Sequence, residues 1–69
     1  LKRWSMALRI LISELLRRYK LKGYEYIKTR WVYKQLHPLY NRKEITDVFK
    51  ELEKEGIVKR EKKGVYQIL

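Results

Sequence analysis

Residues 41–69 have the sequence NRKEITDVFKELEKEGIVKREKKGVYQIL, and this segment carries the strongest structural pattern in the chain. Asn41 is a favourable N-cap, and Glu44 follows it at the spacing of a capping box. The next apolar residues recur at i, i+3, i+4 and i+7, on one side of an α-helix: Ile45, Val48, Phe49 and Leu52. The segment therefore predicts an amphipathic helix from about residue 41 to 55.

A basic β-hairpin is predicted directly after this helix. Gly56 suits the C′ position, where the backbone leaves a helix with a positive φ angle. Two β-prone runs follow at residues 57–60 and 65–69, and the intervening residues 61–64, EKKG, are typical of a turn. We therefore expect a hairpin over residues 57–69.

The first forty residues predict two more helices and a short strand. Helix one is expected from about residue 4 to 20, and its inward side follows from helical spacing: Trp4, Ala7, Leu8, Leu11, Ile12, Leu15, Leu16 and Tyr19. A β-prone run at residues 24–27 predicts a brief edge strand. Thr29 is the expected cap of helix two, which should end near residue 36 because the residue before Pro38 disfavours the α region. One α+β domain of residues 1–69 is therefore expected.

This order of elements resembles the winged helix-turn-helix family of DNA-binding domains over essentially all 69 residues. The resemblance is carried by residues 49–58, FKELEKEGIV, which join the third helix to the hairpin, and by the hairpin itself. The chain is most similar to the small regulators of archaea and their viruses. The resemblance implies a small winged helix-turn-helix with three helices and a C-terminal β-hairpin wing. It also implies that helix three enters the major groove of duplex DNA and that the wing contacts the backbone or the minor groove.

The charge of the chain favours a polyanionic partner. The formal net charge is +10 and the pI is about 10.0, which is typical of nucleic-acid-binding domains; a solvated lysine-rich surface is the alternative. The abundance of Lys, Arg, Ile and Tyr also indicates a thermophile. We therefore predict double-stranded DNA as partner and a cytoplasmic, nucleoid-associated location. The function would be that of a transcription regulator or, since the chain begins with Leu1, the DNA-binding module of a larger protein.

Nothing in the sequence predicts catalysis. One histidine and no cysteine cannot form a structural zinc site. The single aspartate and the two serines have no spacing to that histidine that is typical of a catalytic triad, and the three glycines are isolated. No apolar run approaches the roughly 18 residues of a membrane span. We therefore predict no enzyme activity, no cofactor, no metal, no membrane contact and no small-molecule substrate.

Helix three is predicted to contact DNA bases, although acidic residues outnumber basic ones between residues 42 and 55. Glu44, Glu51 and Glu55 share a flank beside the core, where we expect them to pair with the basic face of helix one or with residues of helix two. The outward side is net positive and mixed polar, as groove recognition requires. The predicted groove contacts are Arg42, Lys43, Thr46, Asp47 and Lys50.

Two further basic groups are predicted phosphate contacts, because phosphates need positive charge more than fixed geometry. The wing supplies Lys59, Arg60, Lys62 and Lys63. The start of helix two supplies Lys28, Arg30 and Lys34, where a helix N-terminus adds amide donors. The alternatives are an ordinary solvated surface and, for the wing, protection of an edge strand by lysine.

Met6 and Ile10 lie among charged residues on the outward side of helix one, and two interpretations stay open. They would contact a second copy in a homodimer, which would match palindromic half-sites, or they are isolated exposed apolar residues. A further alternative for the whole chain is a winged-helix protein-interaction module with a protein partner in a replication, transcription or division complex. The same fold serves both purposes, so fold alone does not fix function.

Overall fold

The computed structural model describes residues 3–69, with side chains described from Met6 onward. Three helices and three strands follow one another along the chain: α1 (Arg3–Leu21), β1 (Tyr26–Lys28), α2 (Thr29–Leu36), α3 (Arg42–Lys54), β2 (Val58–Lys62) and β3 (Val65–Ile68). The predicted α+β fold of three helices and a C-terminal hairpin is confirmed, and it is compatible with a small winged helix.

The three strands form one antiparallel sheet in the order β1-β3-β2. The hairpin turn is shorter than predicted, because β2 continues to Lys62 and only Lys63 and Gly64 remain in the turn. A β-bulge between Arg60 and Lys62 adds one extra residue, Glu61, to β2. Gly64 has a φ of +77°, a conformation that glycine adopts without steric cost.

Both ends of α3 are closed by the predicted backbone motifs. The Asn41 side chain accepts a hydrogen bond from the Glu44 amide at 2.8 Å, and the Glu44 carboxylate accepts one from the Asn41 amide at 2.9 Å. The capping box is therefore confirmed. Gly56 has a φ of +79°, and its amide and that of Ile57 donate to carbonyls of the last turn at 3.0 Å, which is a Schellman motif.

The predicted cap of α2 is wrong. Lys28 is the N-cap residue and its side chain makes no capping hydrogen bond, whereas Thr29 is the first helical residue. The reason is that β1 continues to Lys28 and α2 begins at the next residue, so Thr29 is already helical. The Thr29 amide donates to the Gly64 carbonyl at 3.0 Å. The helix ends at Leu36, two residues before Pro38, as predicted.

The core lies between the three helices and the inner face of the sheet. Phe49 on α3 is fully buried and stacks on Tyr66 of β3, with ring centroids 4.8 Å apart. The predicted buried side of α3 is confirmed. The buried residues come from all six elements: Leu8, Ile12, Leu16, Ile27, Val32, Ile45, Val48, Phe49, Leu52, Val58 and Tyr66.

The predicted inward side of α1 is partly wrong. Ala7 and Leu11 were expected to face the core, but both are exposed. The cause is that α1 packs on α3 along a narrower strip than its apolar residues cover, since a small domain has too little surface to bury a wide helix face. Trp4 lies outside the residues whose side chains are described. The strip that is buried has a spacing of four residues: Leu8, Ile12 and Leu16.

We predict that Asn41→Ala lowers the free energy of unfolding by about 1 kcal/mol, because the substitution leaves the Glu44 amide without its side-chain acceptor. Urea unfolding followed by circular dichroism measures the change. Lys43→Ala, at an exposed position in the same helical turn, is the control and should have little effect. Equal unfolding midpoints for the two variants would show that the capping box contributes nothing to stability.

Candidate nucleic-acid interface

A groove of about 810 Å³ lies between the start of α2, the outward side of α3 and the β2–β3 hairpin, which we call the wing. The hairpin tip closes one end of the groove, where the Gly64 carbonyl accepts from the Thr29 amide of α2. Each of the three elements contributes charged side chains to the lining. These are six cations and a single acid: Arg30, Arg42, Lys50, Lys54, Arg60, Lys63 and Glu53. The groove therefore has a strongly positive lining that favours an anionic ligand.

The row of α3 residues in the groove follows from helix geometry. Residues four apart lie on nearly the same side of a helix, about 6 Å apart along its axis. The row combines two lysines and an arginine with one hydroxyl, so it offers charged donors and a group that both donates and accepts. The residues of this row are Arg42, Thr46, Lys50 and Lys54.

The floor of the groove includes Ile45 and the buried Tyr66. Burial raises the pKa of the Tyr66 phenol above its ordinary value; nearby Arg60 lowers this pKa and Glu53 raises it. The phenol is therefore neutral at physiological pH, and its hydroxyl can donate or accept a hydrogen bond.

Glu53 connects α3 to the wing. Its carboxylate accepts a hydrogen bond from the Arg60 amide at 3.3 Å. Because β2 is an edge strand, this amide has no partner in another strand on its open side. Glu53 thus closes part of an exposed sheet edge, at the expense of placing one negative charge among the cations of the groove.

Half of the predicted DNA contacts line the groove, and they come from all three predicted groups. Arg30 is the only one of the α2 group that does so. From α3 and the wing, the groove includes Arg42, Thr46, Lys50, Arg60 and Lys63. The structure thus brings together residues that are up to 33 positions apart in sequence, from Arg30 to Lys63.

The other predicted contacts lie outside the groove. Lys43 and Asp47 each follow a groove residue on α3 and are rotated from it by about 100°. In the wing, Arg60 is the cross-strand partner of the buried Tyr66, so both side chains lie on the inner face of the sheet. Side chains alternate between faces along a strand, so the pairs on either side of Arg60 and Tyr66 lie on the outer face. The residues left outside are Lys59 and Lys62 on that outer face, Lys43 and Asp47 on α3, and Lys28 and Lys34 at α2. Lys28 instead lies over the Trp31 ring, 5.7 Å from its centroid.

Seven groove residues were not among the predicted contacts: Thr29, Tyr33, Ile45, Glu53, Lys54, Gly64 and Tyr66. Lys54 follows Lys50 by four residues, so helical spacing alone would have identified it. Tyr33 and Glu53 gave no such signal, because their positions depend on how α2 and the wing pack on α3. Tyr33 lies beneath Arg42, whose guanidinium carbon is 5.1 Å from the ring centroid.

Two of the three acids on the flank of α3, Glu51 and Glu55, pair with α1, as one of the two predicted alternatives has it, whereas the Glu44 carboxylate accepts from the Asn41 amide. Arg9 forms an ion pair with Glu55 and lies 3.9 Å from Glu51. Among the described residues, neither acid pairs with Arg30 or Lys34. These pairs are largely exposed and add little stability, but they hold negative charge on the side of α3 that faces α1 and not the groove.

A second surface feature lies on α1. Met6 and Ile10 are 68% and 63% exposed, and the exposed Ala7 and Leu11 extend the same side of the helix. We call these four residues the α1 strip. Apolar side chains this exposed are common singly, whereas here four lie on adjacent turns of one helix, and Met6 and Ile10 border a shallow hollow together with Arg9, Ser13 and Glu14.

The architecture of three helices and a three-stranded antiparallel sheet is compatible with a small winged helix. Comparisons of the chain with protein-family models, with curated proteins and with solved structures gave no match. Within residues 3–69, no helix is long and apolar enough to cross a membrane. No cluster of three or more metal-ligating side chains occurs in the same part of the chain.

We predict that Glu53→Ala accelerates hydrogen exchange at the Arg60 amide, because the variant removes the only side-chain acceptor of that amide in the described structure. Exchange of the individual amide is measured by NMR. Asp47→Ala is the matched control, since it removes an exposed acid of α3 that lies outside the groove. An unchanged Arg60 rate in Glu53→Ala would show that this hydrogen bond does not hold the wing.

Proposed function

We propose that the chain is a double-stranded-DNA-binding winged-helix domain that acts as a transcription regulator or as the DNA-binding module of a larger protein. The observation that carries the proposal is the convergence of six cations from α2, α3 and the wing on one groove. We also propose that the protein is cytoplasmic and associated with the nucleoid. Duplex DNA fits because it is a regular polyanion whose phosphates flank a groove wide enough for an α-helix.

The α3 row is proposed to lie in the major groove. Arg42, Thr46 and Lys50 combine donors and acceptors on one side of a helix with few apolar neighbours, as base recognition requires. The capping box fixes the N-terminal end of this row, which is the end that reaches base edges in helix-turn-helix proteins. Contacts from this row would supply sequence preference.

The residues on either side of the row are proposed to bind phosphates. Arg60 and Lys63 lie on the wing side of the groove, and Arg30 lies in the first turn of α2. A helix N-terminus favours anions through its free amides and dipole. Cations on both sides of α3 would contact the two DNA strands that border one major groove, which fixes the register of the helix.

The predicted contacts outside the groove are assigned a weaker part. Lys43, Lys59 and Lys62 are exposed and carry positive charge near the groove without lining it. Such charges raise the rate of association through the long-range field of the protein. They are not proposed as direct contacts in the bound state.

The α1 strip favours a protein partner, and we propose a second copy of the chain. A dimer through α1 would present two grooves to a palindromic site. The same strip supports the alternative function, a protein-interaction module, in which the covering surface belongs to another component of a replication, transcription or division complex.

A pair of matched charge reversals tests the DNA-binding proposal. We predict that Lys50→Glu/Arg60→Glu abolishes binding to a random 25-base-pair duplex, whereas Lys43→Glu/Lys59→Glu retains most of it. Both variants change one lysine of α3 and one basic residue of β2, so they lose the same net charge, but only the first pair lines the groove. Fluorescence anisotropy at several salt concentrations measures the affinity, and circular dichroism verifies the fold.

The salt dependence gives a second measure. Each phosphate contact should contribute about −0.9 to the slope of log affinity against log salt, so the groove variant should also have a shallower slope than wild type. Equal losses in the two variants would mean that net charge alone drives binding. Absence of duplex binding by the wild type would sink the DNA-binding function and leave the interaction module.

We predict that wild type forms a dimer and that Ile10→Glu is a monomer, because a carboxylate in the middle of the α1 strip would be buried in the dimer without a partner. Sedimentation equilibrium measures the mass. Leu39→Glu is the control, since Leu39 is 76% exposed in the turn between α2 and α3 and is not part of the strip. A wild-type monomer at all concentrations would make Met6 and Ile10 isolated exposed residues.

A further inference from the structure

We propose that Arg42 recognises a guanine base and that Tyr33 is the positioning residue that holds Arg42 in the required orientation. The inference rests on the proposed DNA-binding function and adds the base that one residue selects. Its starting point is the contact between the two side chains, in which the guanidinium carbon lies 5.1 Å from the centre of the Tyr33 ring. Both residues line the groove, one from α3 and the other from α2.

The Tyr33 ring is itself held in place. It is partly buried against the core, and it packs against the His37 ring at a centroid distance of 5.2 Å. The ring is therefore a fixed support between the core and the turn that follows α2. A cation over the face of an aromatic ring is attracted by the electrons of the ring, so Arg42 has a preferred position before any ligand arrives.

The backbone of Arg42 is fixed as well. Arg42 is the first residue of α3 and follows directly on Asn41, whose two hydrogen bonds with Glu44 are 2.8 and 2.9 Å long. The long side chain is therefore restrained at its base by the capping box and at its tip by Tyr33. An ordered side chain loses less conformational entropy when it binds, which favours a specific contact.

The chemistry of the restrained group points to guanine. A guanidinium is planar and its N–H donors lie in that plane, so the donors that point away from the Tyr33 ring stay free to bind a ligand. Two parallel N–H groups match the O6 and N7 acceptors of guanine in the major groove, which is the commonest specific arginine contact with DNA. Lys50 and Lys54 in the same row each carry an ammonium on a flexible stem, which lacks the rigid, planar pair of N–H groups that a guanidinium presents.

The experiment begins with selection of preferred sites from a randomised duplex pool by wild type and by Arg42→Lys. The expected wild-type site contains a guanine whose replacement by another base lowers affinity about tenfold or more. In Arg42→Lys, which keeps the charge but not the planar pair of N–H donors, the guanine preference at that position should fall, measured as the ratio of affinities for duplexes with guanine and with the other bases there. Replacing the same guanine by 7-deazaguanine, which lacks N7, should weaken wild type and leave Arg42→Lys unaffected.

The positioning role has its own variants. Tyr33→Leu removes the ring and should reduce the guanine preference about two- to fivefold, whereas Tyr33→Phe keeps the ring and should restore it. Thermal unfolding verifies that Tyr33→Leu is folded; if it is not, Tyr33→Met, which also lacks the ring, takes its place, and an unchanged guanine preference in the folded ring-less variant would overturn the role of the ring. Tyr33→Phe that lost the preference would overturn the role of the ring.

The results of these experiments distinguish a failure of the guanine assignment from a failure of the DNA-binding function on which it rests. If wild type binds duplex with salt-sensitive affinity but no selected guanine depends on Arg42, the guanine assignment fails and the DNA-binding proposal stands. If wild type binds no duplex at all, both fail together. A guanine preference that is lost in Arg42→Lys and insensitive to 7-deazaguanine would also overturn the assignment, because the contact would not involve N7.

Discussion

The stacking of Phe49 on Tyr66 fixes the position of α3 on the sheet, and the groove depends on that position. Tyr66 lies in the central strand and pairs with Ile27 on one side and Arg60 on the other. A helix anchored on this residue therefore has a defined distance from all three strands at once. The outward side of α3, the start of α2 and the wing then converge, because α2 follows β1 without a loop. The packing of the buried Phe49 and Tyr66 rings therefore influences the width of the groove.

The charged residues of α3 lie on different sides of the helix, which a count of acidic and basic residues does not reveal. Acidic residues outnumber basic ones between residues 42 and 55, which argues against a DNA-binding helix when the residues are only counted. The structure separates them: Glu51 and Glu55 meet Arg9 of α1, Glu44 serves the capping box, and only Glu53 lies in the groove. Helical periodicity predicted this separation for the flank, because it assigns each residue to a side of the helix.

Features that depend on residues close in sequence were predictable, whereas features that depend on how the elements pack were not. The capping box, the buried side of α3, Gly56 and the hairpin follow from short-range spacing. The prediction for α1 was partly wrong because the spacing of apolar residues shows how wide the apolar side of a helix is. It does not show how much of that side other elements cover. The wing lysines were predicted as one group, although the bulge and the strand alternation divide them. The contact of Tyr33 with Arg42 joins two helices across a turn, and no spacing rule predicts it.

The bulge at Glu61 gives the wing its curvature. An extra residue in one strand bends it and increases its twist, and here the bend carries the hairpin tip towards α2, where the Gly64 carbonyl meets the Thr29 amide. Deleting Glu61 would leave Lys62 opposite Val65 and the two-residue turn intact, while the ribbon would straighten and the groove would open. Chain length at this one position thus contributes to the curvature of the wing that borders the groove. Insertions and deletions at this position could change ligand shape preference while the chemistry of recognition stays the same.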